Sequence, residues 1–233
     1  MAAAGSGERL GAGGPKALVD LAGWPMVAWC LEAFAAAEAV GAAIVAAPPD
    51  HVEGVGRVAP AGIEVEVVPG GKTRAESVAR ALEHADTEMV AVHDAARPLV
   101  TPELIDALLA KLMGRPDAAG VIAAAALTDT VKRAREPRPA RGEFLRGGPT
   151  VAKTESRDHL WAAQTPQVFR AEALREAHAA DPQRVAAATD DAMLVEKAGG
   201  KVLIEPAPPE NLKVTTTLDL RLAELLLAAR SSS

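Results

Sequence analysis

Glycines interleaved with cations are the first residues in this sequence that could do chemistry. Residues 2–16 read AAAGSGERLGAGGPK. Glycine lets backbone N–H groups turn toward an anion with no Cβ in the way, and Arg9 and Lys16 add full positive charge beside them. A triphosphate suits such a loop, although a flexible turn explains the same residues equally well. The loop is not a P-loop, because Ala17 follows Lys16 where Ser or Thr would hold a metal. It is not a dinucleotide fingerprint, because Leu10 takes the third glycine position.

Five further segments concentrate polar groups. GGKTRAESV, residues 70–78, is a Gly-Gly turn leading into a helix whose first turns carry Arg74 and Ser77. Gly71 could let a base approach the backbone and Ser77 could hydrogen-bond it; an ordinary capped helix is the alternative. HDAARP, residues 93–98, sets Asp94 and Arg97 around two small residues, Ala95 and Ala96, which makes a polar floor for a ligand. His93 reads as structural, because no Cys or Asp completes a triad pattern. The five His are scattered without metal-ligand spacing, so no side-chain metal site is assigned. DTVKR (129–133) and ESRDHLWAAQTPQVF (155–169) bring Asp129, Thr130, Arg157 and the Gln164 and Gln167 amides; a solvated surface is the commoner meaning of such charges. In ENLKVTT (210–216), Lys213 alone proves nothing.

These segments need elements to position them. Apolar strand-like runs alternate with helix-like runs, which predicts an α/β fold with a mainly parallel sheet flanked by helices. Strands are expected at residues 42–47, 63–68, 89–93, 120–127 and 201–205. Helices are expected from Pro25 onward, with Val27, Leu31 and Phe34 on one face. Further helices are expected at 73–85, from Thr101 and Pro102, at 170–180, at 189–198 and at 218–230. The polar segments then fall at the carboxyl ends of strands, where ligands sit in open α/β sheets. Residues 132–148 break the pattern with Lys, Arg, Pro and Gly. They form either a disordered insert or a projecting arm that a partner must order, and helical, apolar character resumes only after Trp161.

Composition narrows the class. The chain of 233 residues suits one α/β domain, and 49% apolar content can build its core. Lys plus Arg is 25 against 31 Asp plus Glu, a net charge of −6, which argues against a nucleic-acid partner but leaves room for a small anion held by a few local cations. Cys30 is the single cysteine, so no internal disulfide forms, and it reads as a buried small hydrophobe. The N-terminus lacks a basic segment followed by an apolar core, and no apolar run is long enough to span a bilayer. A cytoplasmic location, with no membrane partner, is expected.

Taken together, the six segments, in this order and at these separations, resemble the 2-C-methyl-D-erythritol 4-phosphate cytidylyltransferase family of the non-mevalonate isoprenoid pathway. The resemblance runs from Ala3 to about Leu226 and rests on AAGSGERLG with its downstream PK, on HDAARP and on QTPQVF. It implies a Rossmann-like nucleotidyltransferase domain over residues 1–233, with a projecting β-arm at 132–158 that embraces a dimer partner. It implies transfer of CMP from CTP to the sugar-alcohol phosphate, with release of pyrophosphate and with Mg²⁺ held mainly by CTP phosphates. Arg9, Lys16, Arg157 and Lys213 would be catalytic. Ala3, Ala4, Gly5, Gly7, Gly71, Arg74, Ser77 and Ala95 would bind CTP. Asp94, Arg97, Thr130 and Arg157 would hold the acceptor, part of it across the dimer.

The sequence departs from the family pattern at Ala2, where Pro is usual, at Lys72, where Asp or a similar polar residue is common, and in a longer arm. A cytidylyltransferase for ribitol phosphate or another polyol phosphate is the alternative, and an inactive CTP-binding relative is the remote one. A further expectation concerns the start. A central parallel strand before the glycine loop should be an apolar run of about five or six residues. Only Met1 precedes Ala2, so a start upstream of Met1 is expected in the natural chain.

Overall fold

Runs of Ala and β-branched residues bounded by Gly and Pro fold as strands, and apolar stripes of helical period fold as helices between them. The computed structural model describes residues 1–5, 7, 14–135, 149–180 and 182–230. After a short hairpin, β1 (Asp20–Leu21) and β2 (Trp24–Pro25), the chain runs through α1 (Met26–Ala36), β3 (Ala42–Ala47), α2 (Val52–Gly56), β4 (Glu64–Pro69), α3 (Arg74–Glu83), β5 (Met89–Val92) and α4 (Pro102–Met113). It continues as β6 (Gly120–Ala126), β7 (Lys132–Arg135), β8 (Thr150–Thr154), β9 (Trp161–Arg170), α5 (Ala171–His178), α6 (Pro182–Ala187), α7 (Asp191–Lys197), β10 (Val202–Pro206) and α8 (Thr217–Arg230).

The expected helices and strands are present with small shifts at their ends, and the caps explain several of them. Thr73 and Thr101 accept from the backbone N–H groups of Glu76 and Leu104, so α3 begins one residue later than expected, at Arg74, and α4 begins at Pro102 with Thr101 as its cap, as expected. Asp190 caps α7 in the same way by accepting from the N–H of Met193.

The sheets are mixed, and one strand departs from the expected parallel direction. β3 and β4 pair in parallel, and β10 pairs in parallel with β6, but β9 runs antiparallel to both β5 and β6. β9 also corrects the helical reading of the chain after Trp161. It is the return leg of the excursion through β7 and β8, and an antiparallel return needs no crossover helix. Its polar residues hid it. Gln164, Thr165 and Gln167 interrupt the apolar run, yet all three are buried. β7 and β8 form a separate antiparallel pair whose side chains are largely exposed, with Arg133 and Lys153 both paired to Glu155. Residues 136–148 of the expected arm, like Arg9 in the glycine loop, lie outside the described residues.

Two apolar layers sandwich the larger sheet. On one face Leu104, Ile105, Leu108 and Leu112 of α4 pack with Phe34 of α1; on the other Val78, Leu82, Leu174 and Val195 pack around Phe169. Fully burying each such side chain contributes about 1.5–3 kcal/mol. Cys30 is also fully buried, and burial pushes its thiol up, away from reactivity.

The start of the chain lies between β3 and β5. Ala2 bridges Ala46 on one side and Asp94 on the other, both in parallel, and the Met1 amine donates to the Ile44 carbonyl at 2.6 Å. Burial, with Arg74 nearby, lowers the pKa of that amine to about 6, and burial lowers that of His93 to about 3. Both are bases whose charged form is disfavoured in the folded state, so the unfolded chain binds more protons and stability falls as pH falls. The amine acts between about pH 8 and 6, and His93 between about 6.5 and 3. Urea midpoints should therefore drop from pH 8 to pH 6 by the equivalent of about 2–3 kcal/mol. Acetylating Met1 should flatten that limb and leave the His93 limb intact; an unchanged midpoint between pH 8 and 6 in the free-amine protein would refute this assignment.

Candidate active site

A cleft of about 490 Å³ opens at the carboxyl ends of the central strands. The glycine loop forms one wall, through Ala3, Ala4, Gly5, Gly7 and Lys16. The amide of Lys16 donates to the Gly5 carbonyl at 3.1 Å, which folds the loop back on itself. The turn before α3 forms the second wall, with Gly71, Arg74 and Ser77. The turn after β5 gives the floor, Asp94 and Ala95, and Lys213 closes the far side.

The second wall explains its glycines. Ser77 Oγ accepts from the Gly71 amide at 3.0 Å and donates to the Thr73 carbonyl at 2.9 Å, which draws the Gly-Gly turn onto the helix. A Cβ at Gly70 would come within 2.6 Å of the Ala4 Cβ, and one at Gly71 would run into the Glu76 side chain. Only glycine permits that approach. The Lys72 amide donates to Glu76 Oε2 at 2.8 Å, which adds a second cap to the same turn.

Among the described lining residues Asp94 is the only acid, against four cations, Lys16, Lys72, Arg74 and Lys213. That balance suits a polyanion. Asp94 Oδ1 accepts from Arg74 Nε at 2.8 Å and Oδ2 from Lys213 Nζ at 2.6 Å. Burial alone would push its carboxyl up, but the Arg74 guanidinium and the Lys213 ammonium together outweigh this and hold it well below the usual carboxylate range. Arg74 is anchored a second time. Its Nη1 donates to Asp191 Oδ2 at 2.6 Å, and Asp191 Oδ1 lies 2.9 Å from His178 Nε2.

A buried polar cluster beneath the floor fixes where Asp94 and Lys213 sit. The Asp94 amide donates to Thr165 Oγ1 at 3.0 Å. His93 is neutral at ordinary pH and fully buried. Its Nε2 lies 3.2 Å from the Arg97 carbonyl and its Nδ1 3.0 Å from Thr165 Oγ1, so Nε2–H donates and Nδ1 accepts the hydroxyl. His93 is therefore structural, as its sequence context suggests. Asn211 Nδ2 donates to Gln164 Oε1 and to the Thr165 carbonyl, and the Val214 amide donates to the Ala96 carbonyl. These bonds bracket Lys213.

Of the residues expected to bind the acceptor, Asp94 lines the cleft and three do not. Arg97 turns away, donating to the Asn211 carbonyl at 2.8 Å and the Ala163 carbonyl at 3.4 Å, so within this chain it braces the floor. Thr130 and Arg157 are exposed on the segments flanking β7 and β8. Sequence reasoning missed Asp191, His178, Thr165 and Asn211. A buried acid at a helix start is indistinguishable in sequence from a solvated cap, so Asp191 had no visible signal; QTPQ at least marked Thr165 as unusual for a strand.

Comparison with known proteins agrees with this geometry. The sequence matches the family described as IspD: 2-C-methyl-D-erythritol 4-phosphate cytidylyltransferase over residues 1–229. It is 40% identical to the enzyme of that name from Synechococcus sp. (strain WH7803), covering 99% of this chain and 98% of that one. It is 44% identical to the Streptomyces coelicolor protein of that name, covering 98% and 83%. The crystal structure of the Thermus thermophilus 2-C-methyl-D-erythritol 4-phosphate cytidylyltransferase superposes with a TM-score of 0.71 at 31% identity, covering 91% of this chain and 94% of that one. Joined to a cleft built from the motifs that first suggested it, these matches show that the chain belongs to the 2-C-methyl-D-erythritol 4-phosphate cytidylyltransferase family.

Proposed function

We propose that this chain transfers CMP from CTP to 2-C-methyl-D-erythritol 4-phosphate and releases pyrophosphate, acting as one nucleotidyltransferase domain. The observation that carries the reading is the cationic cleft to which four sequence segments converge around Asp94. The cytidine lies along Ala3, Ala4, Gly71, Ser77 and Ala95, where small residues leave backbone N–H and C=O groups within reach of a base. The triphosphate lies against Gly5 and Gly7, with Lys16 and Arg9 neutralising its charge.

The acceptor phosphate oxygen attacks the α-phosphorus in line, the bond to the bridging oxygen breaks, and pyrophosphate leaves with that electron pair. A phosphate oxygen is already ionised at neutral pH, so no side chain must take a proton. Positioning and charge neutralisation then carry the catalysis. Lys213 steers the attacking phosphate, and Asp94 holds Lys213 until a ligand anion competes for it. Mg²⁺ enters as the counter-ion of CTP. Among the described residues, Asp94 is the only acid lining the cleft and both its oxygens are taken, and no cluster of three or more His, Cys, Asp or Glu able to hold a metal occurs. The ion would be held mainly by the CTP phosphates, where it would help neutralise and orient the leaving pyrophosphate.

Thr130, Arg157 and Arg97 enter the reading as acceptor contacts completed by a second subunit. Val151, Leu160 and Trp161 are exposed at 64%, 36% and 38% around the base of the β7–β8 pair, which supports an arm, residues 132–158, that is covered in a homodimer. No helix among the described residues is long and apolar enough to cross a membrane. That agrees with an enzyme of the cytoplasm acting on water-soluble substrates.

Pyrophosphate release tests the reading directly. With CTP and Mg²⁺, 2-C-methyl-D-erythritol 4-phosphate should be turned over and ribitol phosphate should not; the reverse order would overturn the acceptor assignment. Lys16→Ala should lower kcat by about 10²-fold, the scale for losing one electrostatic stabiliser, with a smaller change in the KM for CTP. Near-normal turnover would remove Lys16 from the mechanism. Deleting residues 135–148 should leave the dimer, whereas deleting 132–156 should give monomer in sedimentation and abolish acceptor binding. An active dimer after the larger deletion would overturn the role of the arm.

A further inference from the structure

Arg74 meets Asp94 at a single point. A guanidinium often meets a carboxylate as a fork, with two N–H groups on two oxygens. Here Nε alone donates to Oδ1, at 2.8 Å, and Oδ2 accepts from Lys213 Nζ at 2.6 Å. Nη2, which would complete the fork, is buried and has no hydrogen-bond partner among the described residues. The third nitrogen, Nη1, donates to Asp191 Oδ2 at 2.6 Å. The guanidinium is planar and rigid, so acceptors on two separate elements fix its plane as well as its position.

Both acceptors are set from one strand. The Asp94 amide donates to Thr165 Oγ1 at 3.0 Å. Further along β9, Gln167 Oε1 accepts from the Ala192 amide at 3.2 Å, and Gln167 Nε2 donates to Asp190 Oδ2 at 2.9 Å. Gln167 thus ties the start of α7, where Asp191 sits, to the strand that holds the cleft floor. His178, at the end of α5, fixes how Asp191 is turned. Its Nε2–H donates to Asp191 Oδ1 at 2.9 Å, which leaves Oδ2 for Arg74. The Asp191 and His178 side chains are 1% and 4% exposed, so water does not stand in for either bond. Burial would raise the Asp191 carboxyl, but the hydrogen bond from His178 and the Arg74 guanidinium outweigh it and hold that carboxyl below its usual range. Neither Asp191 nor His178 is among the described residues lining the cleft, so both act through Arg74.

We propose that Asp191, turned by His178, is a positioning residue for the transfer: it holds Arg74 to one oxygen of Asp94 and so keeps the other oxygen for Lys213. Without the Asp191 charge the guanidinium has one anion left. It then turns onto Asp94 as a fork and takes both oxygens. The cation displaced is the Lys213 ammonium, which is the more exposed of the two and the more strongly hydrated. Lys213 loses the anchor that sets its reach toward the acceptor phosphate, whereas the glycine loop and the Gly-Gly turn keep their own bonds. The effect on turnover rests on the cytidylyltransferase reading; the displacement of Lys213 does not.

Two measurements on the full chain separate these. In limiting acetic anhydride, read by peptide mass spectrometry with Lys111 as internal reference, Lys213 should be acetylated about threefold faster or more in Asp191→Asn, the scale for losing one partly exposed ion pair. The same variant should lower kcat/KM for 2-C-methyl-D-erythritol 4-phosphate by about tenfold or more, with a much smaller change in the KM for CTP. His178→Ala should reproduce both changes in part, and His178→Gln, whose amide N–H reaches toward Asp191, should bring both back toward the parent values. Parent-like labelling of Lys213 in Asp191→Asn, with or without a lowered thermal midpoint, would overturn the positioning role. So would a His178→Gln variant as impaired as His178→Ala. Faster labelling with unchanged kinetics would uphold the displacement and remove Lys213 from acceptor steering. If Asp191→Asn does not fold, the two His178 variants carry the same readouts.

Discussion

A buried carboxylate that must stay ionised governs this structure. Asp94 sits at the end of a central strand, where desolvation favours its neutral form, and only two cations in contact with it reverse that preference. Each cation therefore has to be delivered accurately. Arg74 comes from the first turn of a helix, and its guanidinium bridges Asp94 and Asp191, so that two acids and two cations nearly balance. Lys213 comes from the far end of the sequence. Loss of any member would leave a charge in the interior without its counterpart, the costly state for a buried pair.

Delivery falls to neutral hydrogen bonds beneath the site. Thr165 takes the Asp94 amide and caps the His93 ring, and Asn211 ties the Lys213 segment to the same strand. A polar residue inside a buried strand is tolerated only if its groups are satisfied, and here each of these bonds also places a cleft residue. This accounts for the polar motif in the middle of β9, which from the standpoint of packing alone is an odd sequence for a central strand.

Positive charge and small residues then divide the cleft. The glycine loop and the Gly-Gly turn leave backbone groups open to the cleft, and three lysines and Arg74 are among its described lining residues. No general base is needed for a phosphate nucleophile, and the one histidine beneath the floor is held neutral by burial. The architecture is thus one of placement and charge, with reactive side-chain chemistry absent from the reading.

By itself the sequence determined the α/β alternation, most element positions and the identity of the cleft-forming segments, because apolar period, caps and glycines are local signals. Gly71, Ser77, Asp94 and Lys213 were all legible as polar residues or turns at element ends. The tertiary structure decided what no local signal carries. It made β9 antiparallel, because pairing direction depends on how the chain returns from β7 and β8. It buried Asp191, because a helix-start acid looks alike whether solvated or paired to an arginine more than a hundred residues away. It turned Arg97 toward the Asn211 and Ala163 carbonyls, out of the cleft, because a guanidinium goes where unsatisfied carbonyls are, and those come from segments remote in the chain. It also set residues 1–3 between β3 and β5, because a strand position is defined by the free edges on either side of it, which exist only once the sheet is formed.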